Sequence, residues 1–282
     1  MAVCIFGDSY NRYDLFLKRL GSGIVLLAAA IALFYYGGLP LLLAFCIISL
    51  IGQRELYRAI GIEHKGLAAI GYALTLIYYG LILYDGVSYM MAMIVFSLLC
   101  FMTAYVVTFP EYKTEQVTGA FFGVCYVSVL MSFVYHTRAM NDGVYFVWLI
   151  LFSAWGSDTL AYCAGRLFGK HKMAPVLSPK KTVEGAIGGV LGAAFLGFLY
   201  GLLLQSRFTS SSPQLVCSLA CAAGAVISMI GDLAASAIKR NHDIKDFGNL
   251  IPGHGGILDR FDSMLFAAPA IYYAIILVQE FL

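Results

Sequence analysis

The chain has 282 residues, of which 61% are apolar or aromatic and only 12% are Asp, Glu, Lys or Arg. Soluble domains carry about a quarter charged residues, so roughly half the usual charge is missing; soluble-globular, disordered and collagen-like classes are excluded and an integral membrane protein is left. A net charge of +2 is too small to suggest nucleic-acid binding as a bulk property, and seven cysteines, nearly all inside apolar runs and without C-x-x-C spacing, read as core-filling thiols.

The expected fold is all-α and polytopic. A helix needs about 20 apolar residues to cross the hydrocarbon core. Runs at 20–36, 39–53, 67–84, 88–109, 118–136, 144–165, 185–205, 214–238 and 262–281 predict about nine spans, the first two short enough to be tilted or re-entrant. The first run leads into Gly37-Gly38-Leu39-Pro40 with no A-x-A-like cleavage site, so it reads as a retained helix. With a cytoplasmic N-terminus and alternating sides, every Lys and Arg except Arg138 and Arg207 falls on a cytoplasmic segment, as the positive-inside rule demands. Residues 1–282 read as one membrane domain, in which 1–150 are mainly scaffold spans and 151–282 the catalytic half.

The sixth run carries Asp158, with Tyr162 and Gly165 on the same face at about 100° per residue and Arg166 at the helix end. A charged group at a helix centre costs about 2.5–3.5 kcal/mol on insertion scales. Such a group either lies near a helix end, solvated, or faces a wet cavity with a partner. Between the sixth and seventh runs lie Arg166-Leu167-Phe168-Gly169-Lys170-His171-Lys172 and Leu177-Ser178-Pro179-Lys180-Lys181-Thr182-Val183-Glu184-Gly185. Basic cytoplasmic loops fix topology by themselves. Ser178-Pro179, however, reads as N-cap and N1, which predicts two lysines in a first helical turn, where the macrodipole disfavours cations unless a polyphosphate binds there. The seventh run has Gly188/Gly192 and Gly197/Gly201 at small-xxx-small spacing, a close-packing signal within a protomer or across a dimer.

In the eighth run Ser236 and Lys239 share the face of Asp232, with Arg240 alongside. Two polar stripes on separate helices predict a shared site. The run Lys245–Asp262 follows, with Gly253, Gly255 and Gly256 permitting tight backbone approach. Asp259 and Asp262, spaced i,i+3, share a face. One of them is explicable as helix N-terminal capping; with Asp232 they form an oxygen-rich set suited to Mg²⁺.

These residues carry a resemblance. Ser236-Ala237-Ile238-Lys239-Arg240, then Lys245-Asp246, then His254-Gly255-Gly256-Ile257-Leu258-Asp259-Arg260-Phe261-Asp262 are similar to the signature of phosphatidate cytidylyltransferases (CDP-diacylglycerol synthases) through 27 consecutive positions. Ala235 departs from the Glu that many relatives carry. Asp158 to Lys170, Ser178–Thr182 and Glu184-Gly185 also resemble the family, as does the short element Glu55-Leu56-Tyr57; the length resembles the compact bacterial form. The resemblance implies transfer of a cytidylyl group from CTP to phosphatidate, Mg²⁺ dependence with a second metal or a monovalent cation left open, a homodimer, and a multi-pass protein of the cell (inner) membrane whose site faces the cytoplasm. On it, Asp232, Asp259 and Asp262 are expected as metal ligands and Ser236, Lys239, Arg240 and Asp246 as the catalytic set. Substrate contacts are expected from Asp158, Tyr162, Lys170, Ser178, Lys180, Lys181, Thr182, Glu184, His254, Gly255, Gly256 and Arg260, with His254 as a phosphate or loop contact and not a base. Two rivals stand beside this reading. An ion-coupled secondary transporter also uses intramembrane acids and broken helices. A CDP-alcohol phosphotransferase would need a D-x₂-D-G…G-x₃-D-x₃-D pattern, which the sequence lacks.

Overall fold

The computed structural model describes residues 21, 23–85, 89–251 and 255–281. Within them the helices are α1 (Gly23–Tyr36), α2 (Gly38–Ala59), α3 (Gly66–Asp85), α4 (Met90–Val107), α5 (Thr114–Ala139), α6 (Gly143–Phe168), α7 (Val183–Leu203), α8 (Pro213–Asn241) and α9 (Leu258–Phe281). An antiparallel hairpin of β1 (Lys172–Ala174) and β2 (Ser178–Thr182) joins α6 to α7 and is the exception to an otherwise helical fold.

Among the described residues eight helices, α2 to α9, are long and apolar enough to cross a membrane. The first expected span begins outside the described residues. Its described part, α1, is about 21 Å long at 1.5 Å per residue, short of a core of about 30 Å. The second run is longer than its hydropathy predicts. It continues through Gln53 and Glu55, which are almost fully buried and therefore cost nothing in lipid exposure. A buried hydrogen-bond ladder explains how polar groups survive there. Gln53 Nε2 donates to the Tyr57 hydroxyl (2.8 Å), Tyr57 donates to the Ala120 carbonyl (2.6 Å), and Thr75 bridges Gln53 Oε1 and Ser128. The N-terminal half is thus knitted by polar contacts between α2, α3 and α5.

In the C-terminal half the most extensive packings are α8 against α9, α8 against α7, and α6 against α7. Small residues make them possible. Gly185, Gly189, Ala193, Gly197 and Gly201 are buried along α7 at four-residue spacing. A Cβ on Gly188 or Gly189 would meet Ala164 or Ala161 of α6, and one on Gly197 would meet the Cys217 carbonyl of α8. The close packing predicted for these glycines is therefore made within the protomer. Both α5 and α6 contain a π-helical turn, at Val124–Val129 and Phe152–Gly156, and the second ends one residue before Ser157 and Asp158. Of the six described cysteines, all free, Cys46, Cys217 and Cys221 are buried as expected, whereas Cys163 is exposed.

Gly197→Ala is expected to lower the melting temperature in detergent, because the added methyl meets backbone and not a movable side chain. Gly80→Ala in α3, whose Cβ would have open space, should be neutral or slightly stabilising. Equal melting temperatures for the two variants would refute the packing argument.

Candidate active site

The helix stripes read from the sequence converge. One cavity of about 670 Å³ is lined from α6 by Trp155, Asp158, Ala161, Tyr162, Gly165 and Arg166, and from the hairpin by Lys172, Met173, Ser178, Lys180, Lys181 and Thr182. α8 contributes Met229, Asp232 and Lys239, the following loop Asp246, and the start of α9 Asp259, Arg260, Asp262 and Ser263. Six cationic side chains and five aspartates therefore face one space, the polar end of a set of apolar helices.

Twelve of the expected site residues line it: Asp158, Tyr162, Ser178, Lys180, Lys181, Thr182, Asp232, Lys239, Asp246, Asp259, Arg260 and Asp262. Lys170, Glu184, Ser236, Arg240, Gly255 and Gly256 are outside the lining, and Arg240 is exposed. His254 lies outside the described residues. Trp155, Met173, Met229 and Ser263 belong to the cavity although no motif singled them out, and Lys172 joins them from the basic run between the sixth and seventh spans.

The basic segment corrects an expectation. Ser178-Pro179 does not start a helix: Lys180 and Lys181 lie on β2, with register Lys172↔Thr182 and Ala174↔Ser178. The helix starts four residues later, where Thr182 is the N-cap and its hydroxyl accepts the Gly185 N–H at 3.1 Å. Pro179 and the β-branched Thr182 suit an extended edge segment, and extension carries the lysines along the cavity wall instead of round a helix. Glu184 does not reach the cavity. Its carboxylate accepts the N–H groups of Lys170 and His171 and pairs with His171 Nδ1 at 2.6 Å, tying the base of the hairpin to the first turn of α7.

The three aspartates expected together are not equivalent. Asp259 Oδ1 accepts from Lys239 Nζ at 2.9 Å, and Oδ2 accepts the N–H groups of Phe247 (2.8 Å) and Gly256 (3.0 Å). Both oxygens are thus occupied by the chain itself, and Lys239 is further held over the Phe247 ring. Asp232 pairs with Lys181 from the hairpin, and Ser263 reaches from beside Asp262 to Asp158 Oδ2 at 3.4 Å.

Among the described residues no three of His, Cys, Asp and Glu converge closely enough to enclose a metal ion. The donor chemistry nevertheless fits Mg²⁺, which takes one or two carboxylates and completes its shell with water and phosphate. Asp232 and Asp262 are hard oxygen donors on adjoining helices, and the Lys181 ammonium resting on Asp232 shows that positive charge is accommodated at that point.

Comparison with known proteins fixes the family. Residues 17–278 match the model of the cytidylyltransferase family. The chain belongs to that family. It is 31% identical over 264 residues to a phosphatidate cytidylyltransferase of Staphylococcus haemolyticus, covering 93% of this chain and 98% of the relative. It is also 31% identical over 269 residues to one of Staphylococcus aureus strain COL, covering 93% and 99%. A phosphatidate cytidylyltransferase of Bacillus subtilis strain 168 is 34% identical over 194 residues, or 68% of this chain and 70% of the relative. In this cytidylyltransferase the matched segment includes every residue lining the cavity.

Lys239 and Asp259 are almost buried, with 14% and 2% of their side chains exposed. Lys239→Met should therefore cost stability of the order expected for stranding a buried charge, about 3–5 kcal/mol. The double variant Lys239→Met/Asp259→Asn should recover part of that loss in a detergent melt. A shifted Mg²⁺-activation curve in Asp259→Asn with no loss of stability would instead make Asp259 a metal ligand.

Proposed function

We propose that this protein transfers the cytidylyl group of CTP to phosphatidate, giving CDP-diacylglycerol and pyrophosphate. The observation that carries the reading is the cavity itself, at the end of membrane-spanning helices: its hairpin wall carries only basic charges, and all five aspartates lie on the helix and loop wall beside Arg166, Lys239 and Arg260. Family membership removes the support for a secondary transporter or a CDP-alcohol phosphotransferase. A lipid substrate accounts for embedding a nucleotidyl transferase in a bilayer. A soluble triphosphate accounts for the basic wall.

In this reading Arg166, Lys172, Lys180 and Lys181 receive the triphosphate, and Lys239, oriented by Asp259, faces the reacting phosphates. Asp232 and Asp262 would hold Mg²⁺, which supplies charge neutralisation at the α-phosphate and the departing pyrophosphate. A phosphatidate oxygen attacks the α-phosphorus as the bond to the β-phosphate oxygen breaks, and the pyrophosphate carries away that electron pair. The attacking monoester has a second pKa of about 6 and is already mostly dianionic at pH 7, so no side chain need take its proton. The chain's own contribution is to bring two anions together and neutralise them. The excess of Lys and Arg on alternate segments supports a cytoplasmic N-terminus and a cytoplasm-facing site in the cell membrane. A homodimer, implied by the family resemblance, is part of the same proposal and is checked by the mass of the detergent-solubilised protein.

Purified protein given Mg²⁺, phosphatidate and CTP labelled at either the α- or the γ-phosphate should place the α label in lipid and the γ label in aqueous pyrophosphate. Label transfer to neither would reject the reading. Asp232→Asn and Asp262→Asn should each lower turnover more than tenfold, over about 1.4 kcal/mol. Lys180→Ala should raise the KM for CTP more than that for phosphatidate. The opposite order would reverse the wall assignment.

Acid should lower kcat/KM with an apparent pKa of about 6, as the lipid phosphate gains its second proton. That limb should survive in His254→Gln; a flat profile in the variant would make the histidine a general base.

A further inference from the structure

We infer that Glu55, on α2 of the scaffold half, is the positioning residue that sets the active-site loop and the first turn of α9. It deepens the reading above and rests on it for the reaction concerned. The Glu55 side chain is buried and accepts the N–H groups of Ile257 (3.0 Å) and Leu258 (2.8 Å), more than 200 positions away in the chain. These are free amides at a helix N-terminus, which carry no intrahelical partner and favour a negative charge. Asp259 takes the adjoining Gly256 amide, so two carboxylates divide three consecutive N–H groups between them.

The loop is shaped around the carboxylate. A Cβ on either Gly248 or Gly256 would collide with the Glu55 carboxylate oxygens, and Gly255 between the two contacts has φ +86°. Ile251 and Gly255 close the loop through a backbone hydrogen bond of 2.9 Å. Glu55 itself does not line the cavity. Its effect passes through Leu258 to Asp259, Arg260 and Asp262, which follow within one turn. Lys239 is affected in turn, since its partner is Asp259.

The test compares wild type with Glu55→Gln, Glu55→Ala and Gly248→Ala in the full chain purified in detergent, by amide hydrogen exchange and steady-state kinetics. Glu55→Ala should speed exchange at Gly256–Arg260 at least tenfold while the amides of Gly224–Ala235 in α8 keep their protection. Gly248→Ala, which displaces the same carboxylate, should reproduce the effect, and Glu55→Gln, which keeps one acceptor, should fall between. For the reaction, kcat should drop at least tenfold in Glu55→Ala, with KM for CTP changed less than threefold and a partial recovery in Glu55→Gln. Exchange that is unchanged, or raised uniformly over all helices, would overturn the inference, as would an unaltered kcat. A wild-type protein without cytidylyl transfer would overturn the reaction assignment alone, and the exchange arm would still decide whether Glu55 sets the loop.

Discussion

A charge carried into an apolar bilayer has to meet a partner there, and the architecture of the C-terminal half follows from meeting that requirement for a small group of side chains. Lys239 is paired with Asp259, Asp259 with two further backbone amides, Asp232 with Lys181, and Glu55 with the N-terminus of α9. Lys239 with Asp259, Asp232 with Lys181 and Glu55 with Leu258 each join two different elements. The pairs therefore do more than cancel a desolvation penalty: they fix α2, the hairpin, α8 and α9 relative to one another. The surface pair offers a contrast. Arg58 and Arg54 hold the Glu63 carboxyl down to about 2 in a loop after α2, but those guanidinium groups are half-exposed and, among the described residues, pair with Glu63 alone.

Close approach of the helices is the second condition. Asp158 and Asp232 face one cavity because α7 presents glycine where α6 and α8 press against it. A stripe of larger residues would separate those helices by several ångströms and divide the basic wall from the acidic one. The π-helical turn before Ser157 shifts the helix face at the same point, so that α6 turns Asp158 inward where the hydrophobic pattern of its first half ends.

Much of this was legible in the residues. The charge deficit named the membrane class, the helical arithmetic placed Asp158 and Asp232 on stripes that meet, and the 236–262 stretch pointed to the family. The rest depended on facts that periodicity does not carry. A three-residue strand is too short to show alternation, so the basic run does not reveal that Lys172 faces the cavity, and Ser178-Pro179 predicts Lys180 and Lys181 on a helix that begins only after Thr182. The i,i+3 rule puts Asp259 and Asp262 on one face without revealing that both Asp259 oxygens are already engaged by Lys239, Phe247 and Gly256. Glu55 was noticed only as part of a short resembling element. Its partners at Ile257 and Leu258 are set by tertiary packing across the whole chain.

The central claim is that one cavity between the hairpin and the starts and ends of α6, α8 and α9 holds the nucleotide. Determining the structure with CTP and Mg²⁺ bound in the absence of phosphatidate tests it most directly. The account predicts the triphosphate lying between Lys172, Lys180 and Lys181 on one side and Asp232 and Asp262 on the other, with Lys181 drawn away from Asp232. A triphosphate bound instead at Arg54 and Arg58, or anywhere else outside the cavity, would contradict it.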